Sequence, residues 1–141
     1  MTTLLTPYYL IALALIGIAD TLYLSISVYA GVAPSCVLEG CEVVLASPYA
    51  KFFGVPLSYI GLVYYVYMLA LAGLLAFDPY AKGLRWGTLL YTLVGVLMSV
   101  GFIYIQGVLI GAYCQYCLIS AVLTVLLFGV AFWHFFKRPS V

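Results

Sequence analysis

Val55-PLSYIGLVYYVYMLALAGLLA-Phe77 runs for twenty-three residues without a charge. At 1.5 Å of rise per residue, a helix of that length is about 35 Å long, enough to cross the roughly 30 Å of hydrocarbon in a bilayer. Pro56 suits the first turn of such a helix, and Asp78 with Pro79 ends it. Working outward, a second apolar run covers about residues 8–30, with Asp20 near its middle and Pro34 closing it. A third covers about residues 86–110 and a fourth about residues 114–136, stopping before Lys137 and Arg138.

The composition agrees with that reading. Of 141 residues, 67% are hydrophobic and 6% charged, and the mean hydropathy is +1.24, too little polar surface to cover a water-facing globule. Five basic against four acidic residues leave no excess with which to hold nucleic acid. The expected fold is therefore all-α: a single domain over residues 1–141, built as an integral membrane bundle of four transmembrane helices, 8–30, 55–77, 86–110 and 114–136. The residues between the first two helices form the one long loop. Gly107-Val-Leu-Ile-Gly111 has the small-xxx-small spacing that lets helices approach closely in lipid. Met1 to Thr6 lack the basic start of a cleavable signal peptide, so the first run is expected to remain as a span.

Four crossings place both termini on the side of Lys82, Arg85, Lys137 and Arg138, against Lys51 alone on the other. Basic residues are retained on the cytoplasmic face, which predicts a multi-pass cell-membrane protein with cytoplasmic termini and an external long loop. The inverted insertion is the alternative. In the favoured one, all four cysteines gather on the external side, where disulfides persist.

Those cysteines form two close pairs. Cys114-Gln-Tyr-Cys117 sits at a helix start, where free backbone N–H groups and the positive end of the helix dipole favour thiolate. Cys117 is about one turn deeper than Cys114, so Cys114 is expected to exchange with an incoming thiol and Cys117 to face an apolar electron acceptor in the bilayer. Cys36 and Cys41 lie in the loop, where a mobile second disulfide can meet a soluble partner and then swing onto the first pair, Gly40 providing the tight backbone. Glu39 and Glu42 flank this pair with negative charge. Two other readings fit the spacing: a non-enzymatic scaffold stapled by structural disulfides, and a four-cysteine metal site.

The remaining polar candidates are Asp20, for a proton path or an interhelical hydrogen bond, and Ser58, for a ligand carbonyl or a helix cap. Phe52, Phe53, Tyr59, Tyr104, Tyr113 and Tyr116 are expected near the outer surface, where they could sandwich a flat ring. His134 reads as an interfacial residue beside Lys137.

Together these residues resemble the vitamin K epoxide reductase family, whose bacterial and archaeal members work beside thioredoxin-like oxidases in the role that DsbB proteins fill elsewhere. The resemblance is carried by Leu22-Tyr23, by Cys36 and Cys41 with four residues between them, by Val44 and Ser47, by Gly54-Val-Pro-Leu-Ser58-x-x-Gly61 with Tyr64 and Tyr65, by Gly101 with Tyr104, and by Cys114-x-x-Cys117. It implies a quinone of menaquinone or ubiquinone type in the bundle, reduced at Cys117, with Cys114 exchanging with the loop. Ser58, Tyr104 and Asp20 would stand near it. It also implies a thioredoxin-like, DsbA-like partner, expected in trans because no fused thioredoxin-like domain follows before Val141. The vertebrate enzymes carry a Tyr four residues after the second active-site Cys and an Asn before the Ser of the second helix. Ala121 and Leu57 stand there in this chain, which favours plain quinone reduction over epoxide reduction.

Overall fold

The computed structural model describes residues 2–137; Arg138, counted above among the basic flanks, lies outside them. Four long helices carry the fold: α1 (Thr2–Ala30), α3 (Leu57–Phe77), α4 (Lys82–Tyr104) and α5 (Gln115–Lys137). Each is long and apolar enough to cross a membrane, α4 together with the turn that prolongs it to Ile110. The sequence-predicted spans hold to within a few residues except at the start of α1, which begins at Thr2, six residues before the expected 8, and at the start of α4. Between α1 and α3 lie the short helix α2 (Cys41–Ala46), a 3₁₀ turn (Pro48–Ala50) and a two-stranded hairpin, β1 (Lys51–Phe52) with β2 (Val55–Pro56).

Helix ends follow local chemistry. α1 stops short of Pro34: Gly31 takes a left-handed φ of 67°, and the Val32 N–H returns to the Ser27 carbonyl at 3.1 Å. α4 does not end at Tyr104 but widens into a π-helical turn, Ile105–Ile110. There the Gly111 N–H reaches the Gln106 carbonyl at 2.8 Å, five residues back. Gly111, at φ 75°, closes the turn in a conformation that a side chain would oppose. The Gly107–Gly111 pair therefore does not form the helix contact that its spacing suggested. Gly111 terminates, and Gly107 has the Tyr113 hydroxyl against it.

The close helix approach occurs instead between α1 and α3. A Cβ on Gly17 would run into the Tyr65 ring, and one on Gly61 would come within 3.0 Å of the Thr21 methyl. In lipid, where apolar side chains gain nothing by leaving their surroundings, such steric matching is what holds helices together. α1 packs against both α3 and α5, and α4 packs against α5 and, less closely, α3. Leu10, Tyr65, Met68 and Leu127 fill the centre, while large apolar side chains such as Val63, Val66, Val100 and Val122 face outward.

At the end of the bundle where α5 finishes, the expected interfacial placement of His134 does not hold. His134 is buried, and Arg85, itself only 4% exposed, turns inward to donate to the His134 carbonyl at 3.2 Å and to the Phe135 carbonyl. A helix end leaves its last carbonyls without intrahelical donors, so the guanidinium serves the structure of α5 rather than the surface. Lys137 lies over the Trp133 ring at 4.0 Å.

Replacing Gly17 by Ala should lower the unfolding midpoint in detergent, with an overpacking cost of roughly 1–3 kcal/mol. Gly73→Ala, where nothing stands within 4 Å, should be neutral or stabilising by up to about 1 kcal/mol. Equal responses of the two variants would refute the account of the α1–α3 contact.

Candidate active site

The loop pair is bonded: Cys36 and Cys41 form a disulfide with their Cα atoms 6.3 Å apart, whereas Cys114 and Cys117 are free thiols. The loop does not swing free. Cys41 opens α2 at 1% exposure and packs with Val44 and the fully buried Cys114, while Cys36, Cys117, Ile110 and Tyr116 close the cluster. Several hydrogen bonds fasten the loop to the start of α5. The Val37 N–H donates to Gln115 Oε1 at 2.9 Å, and the Tyr116 hydroxyl donates to the Ser35 carbonyl at 2.6 Å. The Ser35 N–H in turn donates to the Tyr23 hydroxyl at 3.2 Å, and the Tyr23 and Tyr116 rings meet at 5.2 Å.

Gly40 has a different purpose from the one its spacing suggested. Its φ of −94° is open to any residue; what excludes a side chain is the backbone of Tyr113, against which a Cβ would collide. The loop thus lies directly on the segment that leads into Cys114. That segment is held from below by Gln106, a buried residue that sequence reasoning passed over. Its carbonyl accepts from Gly111 at 2.8 Å and from Ala112 at 3.1 Å, and its side-chain Oε1 accepts the Cys114 N–H at 3.0 Å.

Cys114 precedes α5, and its carbonyl accepts the Leu118 N–H at 3.0 Å, the first bond of the helix. The neighbouring Cys117 side chain does most to hold the Cys114 thiol below its ordinary pKa; burial opposes it, and the backbone N–H groups of Cys117 and Tyr116 assist.

Cys117 faces the other way, into a cavity of about 350 Å³ lined by all four long helices and by α2. This is the size of a small-molecule site, and its wall is mainly apolar. Leu57 and Ala121, the two positions where the vertebrate pattern has polar residues, both line it. Ser58 lines it as well, and its Oγ is buried without a hydrogen-bonding partner among the described residues, so it caps nothing. An orphaned buried hydroxyl beside a thiol, in an apolar chamber of this volume, fits a flat ring bearing a carbonyl oxygen. Ile60, Val94 and Met98 line the cavity and are also exposed, so the wall between α3 and α4 faces lipid.

Two sequence candidates stand apart from the cavity. Tyr104 is 61% exposed and turned to the outside; Phe102 and Gln106, on either side of it by two residues, take the inward face. At 100° per residue, two positions on place a side chain on the opposite side of a helix. Asp20 is half-buried on α1 next to Thr21, which does line the cavity, and one of its carboxylate oxygens is buried without a partner. Among the described residues, no group of three or more His, Cys, Asp or Glu side chains is arranged to hold a metal.

With the loop disulfide intact, ultraviolet absorbance of the Cys114 thiolate should titrate with a midpoint below the ordinary thiol value of about 8.5. Below that pH its reactivity should fall about tenfold per unit. Cys117→Ala removes the neighbouring thiol and should raise the midpoint toward that ordinary value. An unmoved midpoint would refute the part assigned to the Cys117 side chain.

Residues 8–132 match the Vitamin K epoxide reductase family. The chain is also 36% identical, over 117 residues, to the thiol-disulfide oxidoreductase LTO1 of Arabidopsis thaliana, a match that covers 77% of this chain but 31% of the plant protein. Four membrane-length helices, a bonded loop pair and a C-x-x-C beneath it thus coincide with a family match over almost the whole length. The chain belongs to the vitamin K epoxide reductase family.

Proposed function

We propose that this chain is a membrane thiol oxidase that takes two electrons from the dithiol of a thioredoxin-like, DsbA-like partner and delivers them through its two cysteine pairs to a lipid quinone of menaquinone or ubiquinone type, promoting disulfide formation. One observation carries the reading: buried Cys114 packs in one cluster with Cys41 and Cys117, and Cys117 lines the apolar cavity.

Burial of the sulfurs suggests the order of exchange. Cys36 is only partly buried and is flanked by the exposed apolar side chains Val37 and Leu38, a surface on which a partner can dock. A partner thiolate attacks the Cys36 sulfur, and the partner's second thiol resolves the mixed disulfide, leaving the partner oxidised and the loop pair as two thiols. Cys41, already against Cys114, then attacks a Cys114–Cys117 disulfide at Cys114. Cys36 completes the exchange, so the loop bond re-forms and Cys114 and Cys117 become thiols.

A bound quinone supplies the acceptor for two electrons and two protons, converting the Cys114/Cys117 dithiol back to a disulfide and leaving as quinol. For this chain's own residues, the work is to hold and orient. Ser58 offers its hydroxyl to a carbonyl oxygen, Leu57 and Ala121 keep the wall apolar, and the lipid-facing seam at Ile60, Val94 and Met98 suits a hydrocarbon tail. Asp20, buried on one oxygen near this assembly, is the ionisable side chain we assign to proton exchange with it.

The external placement of the cysteines rests on Lys82 and Lys137 flanking the opposite end of the bundle. In right-side-out vesicles, a membrane-impermeant thiol reagent should label the reduced loop cysteines without detergent; labelling only after detergent would reverse the orientation.

With a dithiol partner and a short-tailed quinone, purified protein should form quinol, and Cys117→Ala should reduce the rate to the uncatalysed background. Cys36→Ser or Cys41→Ser should abolish turnover with the protein partner while leaving some with a small dithiol that reaches Cys114 directly. Normal quinone reduction by Cys117→Ala would overturn the reading. Loop cysteines that stay bonded under mild reductant and trap no partner would point to a structural disulfide instead.

A further inference from the structure

Most polar atoms in the cavity wall have their partners within the protein. The Ser99 and Thr124 hydroxyls bond to each other at 2.9 Å. The Tyr65 hydroxyl lies 2.9 Å from the Ser120 carbonyl and 2.8 Å from its hydroxyl, and Gln106 accepts from Cys114. Besides Ser58, one buried lining hydroxyl is left over, that of Tyr64, which has no partner among the described residues.

The Tyr64 ring has no freedom to look elsewhere. It stacks on Tyr91 at 4.8 Å and 8° between planes, and it meets Tyr65 edge-on at 5.2 Å. The Tyr91 hydroxyl donates to the Tyr64 carbonyl at 3.0 Å, fixing the backbone that carries the ring. Its own hydroxyl lies against the Cα of Gly95 on α4, in the space that any side chain at that position would take. A hydroxyl so confined, in a mainly apolar wall and without a protein partner among the described residues, is a donor prepared for a ligand atom.

We infer that the Tyr64 hydroxyl is a second hydrogen-bond donor to the electron acceptor, holding a carbonyl oxygen at the deep end of the cavity while Ser58 holds one at the outer end. Six residues separate the two on α3, which is about 9 Å of helix rise. Donors at two levels select a ligand with acceptors on opposite edges of a flat ring, which is the chemistry of a para-quinone. Neither donor coincides with the two positions that are polar in the vertebrate pattern, Leu57 and Ala121, so this chain would grip its acceptor from different places on the same wall. The inference rests on the quinone reading above and adds a specificity residue to it.

Tyr64→Phe keeps the ring and both of its aromatic contacts and removes only the hydroxyl. With a short-tailed para-quinone as titrant, the variant should bind about five- to tenfold more weakly than wild type, the worth of one hydrogen bond. Its unfolding midpoint without quinone should be unchanged or higher, since no protein partner is lost. In infrared difference spectra of the bound quinone, one carbonyl band should move to higher frequency, toward that of a free carbonyl. Unaltered affinity and carbonyl bands in the variant would overturn the inference and leave the quinone reading standing, as would weaker binding accompanied by a lower unfolding midpoint and unmoved bands. Failure of wild type itself to bind any quinone would remove the quinone reading, and this inference with it.

Discussion

The hydrogen bond from the Cys114 N–H to the Gln106 side chain is the interaction on which the cysteine-bearing end of this molecule depends. Where α4 gives way to α5, the chain reverses in four residues, and the backbone donors there would be orphaned at the edge of the hydrocarbon. One buried glutamine takes three of them, Gly111 and Ala112 on its carbonyl and Cys114 on its amide oxygen. The π-helical turn makes this possible, because its extra residue brings the Gly111 and Ala112 N–H groups back onto a single carbonyl. The result is a connection flat enough for the loop disulfide to rest on it at Gly40, with Cys114 fixed at the junction.

From that junction the four sulfurs form a gradient of access. Cys36 is partly open, Cys41 and Cys114 are shut away together, and Cys117 borders the apolar chamber. Thiol–disulfide exchange needs sulfurs to come into line with one another, and a packed loop supplies that without a long search by a free segment. The same packing keeps water from the inner pair. The chamber beyond it is closed by α1 and α3 through steric matching at Gly17 and Gly61 and stays looser toward α4, so the rigid and the accommodating sides of the bundle are different helix pairs.

What the sequence reveals and what it conceals follow from the solvent. Hydrocarbon sets a minimum length for an apolar run, so the four spans and their ends at Ala30 and Phe77 are legible from composition and breakers alone. The cysteine pairs are legible because their spacing is short. Helix rotation is not, since a span apolar on every side has no periodic signal to say which face turns inward. That is why Tyr104 and Tyr64 look equivalent in sequence although the first faces outward and the second lines the cavity. Arg85 and His134 mislead for a related reason: charges at the end of a span are ordinarily interfacial, yet the last carbonyls of α5 need a donor, and Arg85 supplies it from inside. Gln106 leaves no trace at all, being one polar residue in an apolar run whose role depends on a local change of helix type.

The scarcity of charge also bears on how the chemistry is done. Thiolates are commonly stabilised by a neighbouring cation, but the groups that lower the Cys114 pKa are the neutral Cys117 thiol and two backbone N–H groups. Dipoles fixed in a dry site stabilise an anion without a counter-ion that must itself be desolvated. A lysine or arginine in the same place would have to be carried into the hydrocarbon edge at a cost of several kcal/mol. The principal donor, moreover, is the other half of the redox pair, and it is lost when Cys117 is oxidised. Oxidation joins the two sulfurs and removes the thiolate itself, so the reactive anion at the junction exists only while the pair is reduced.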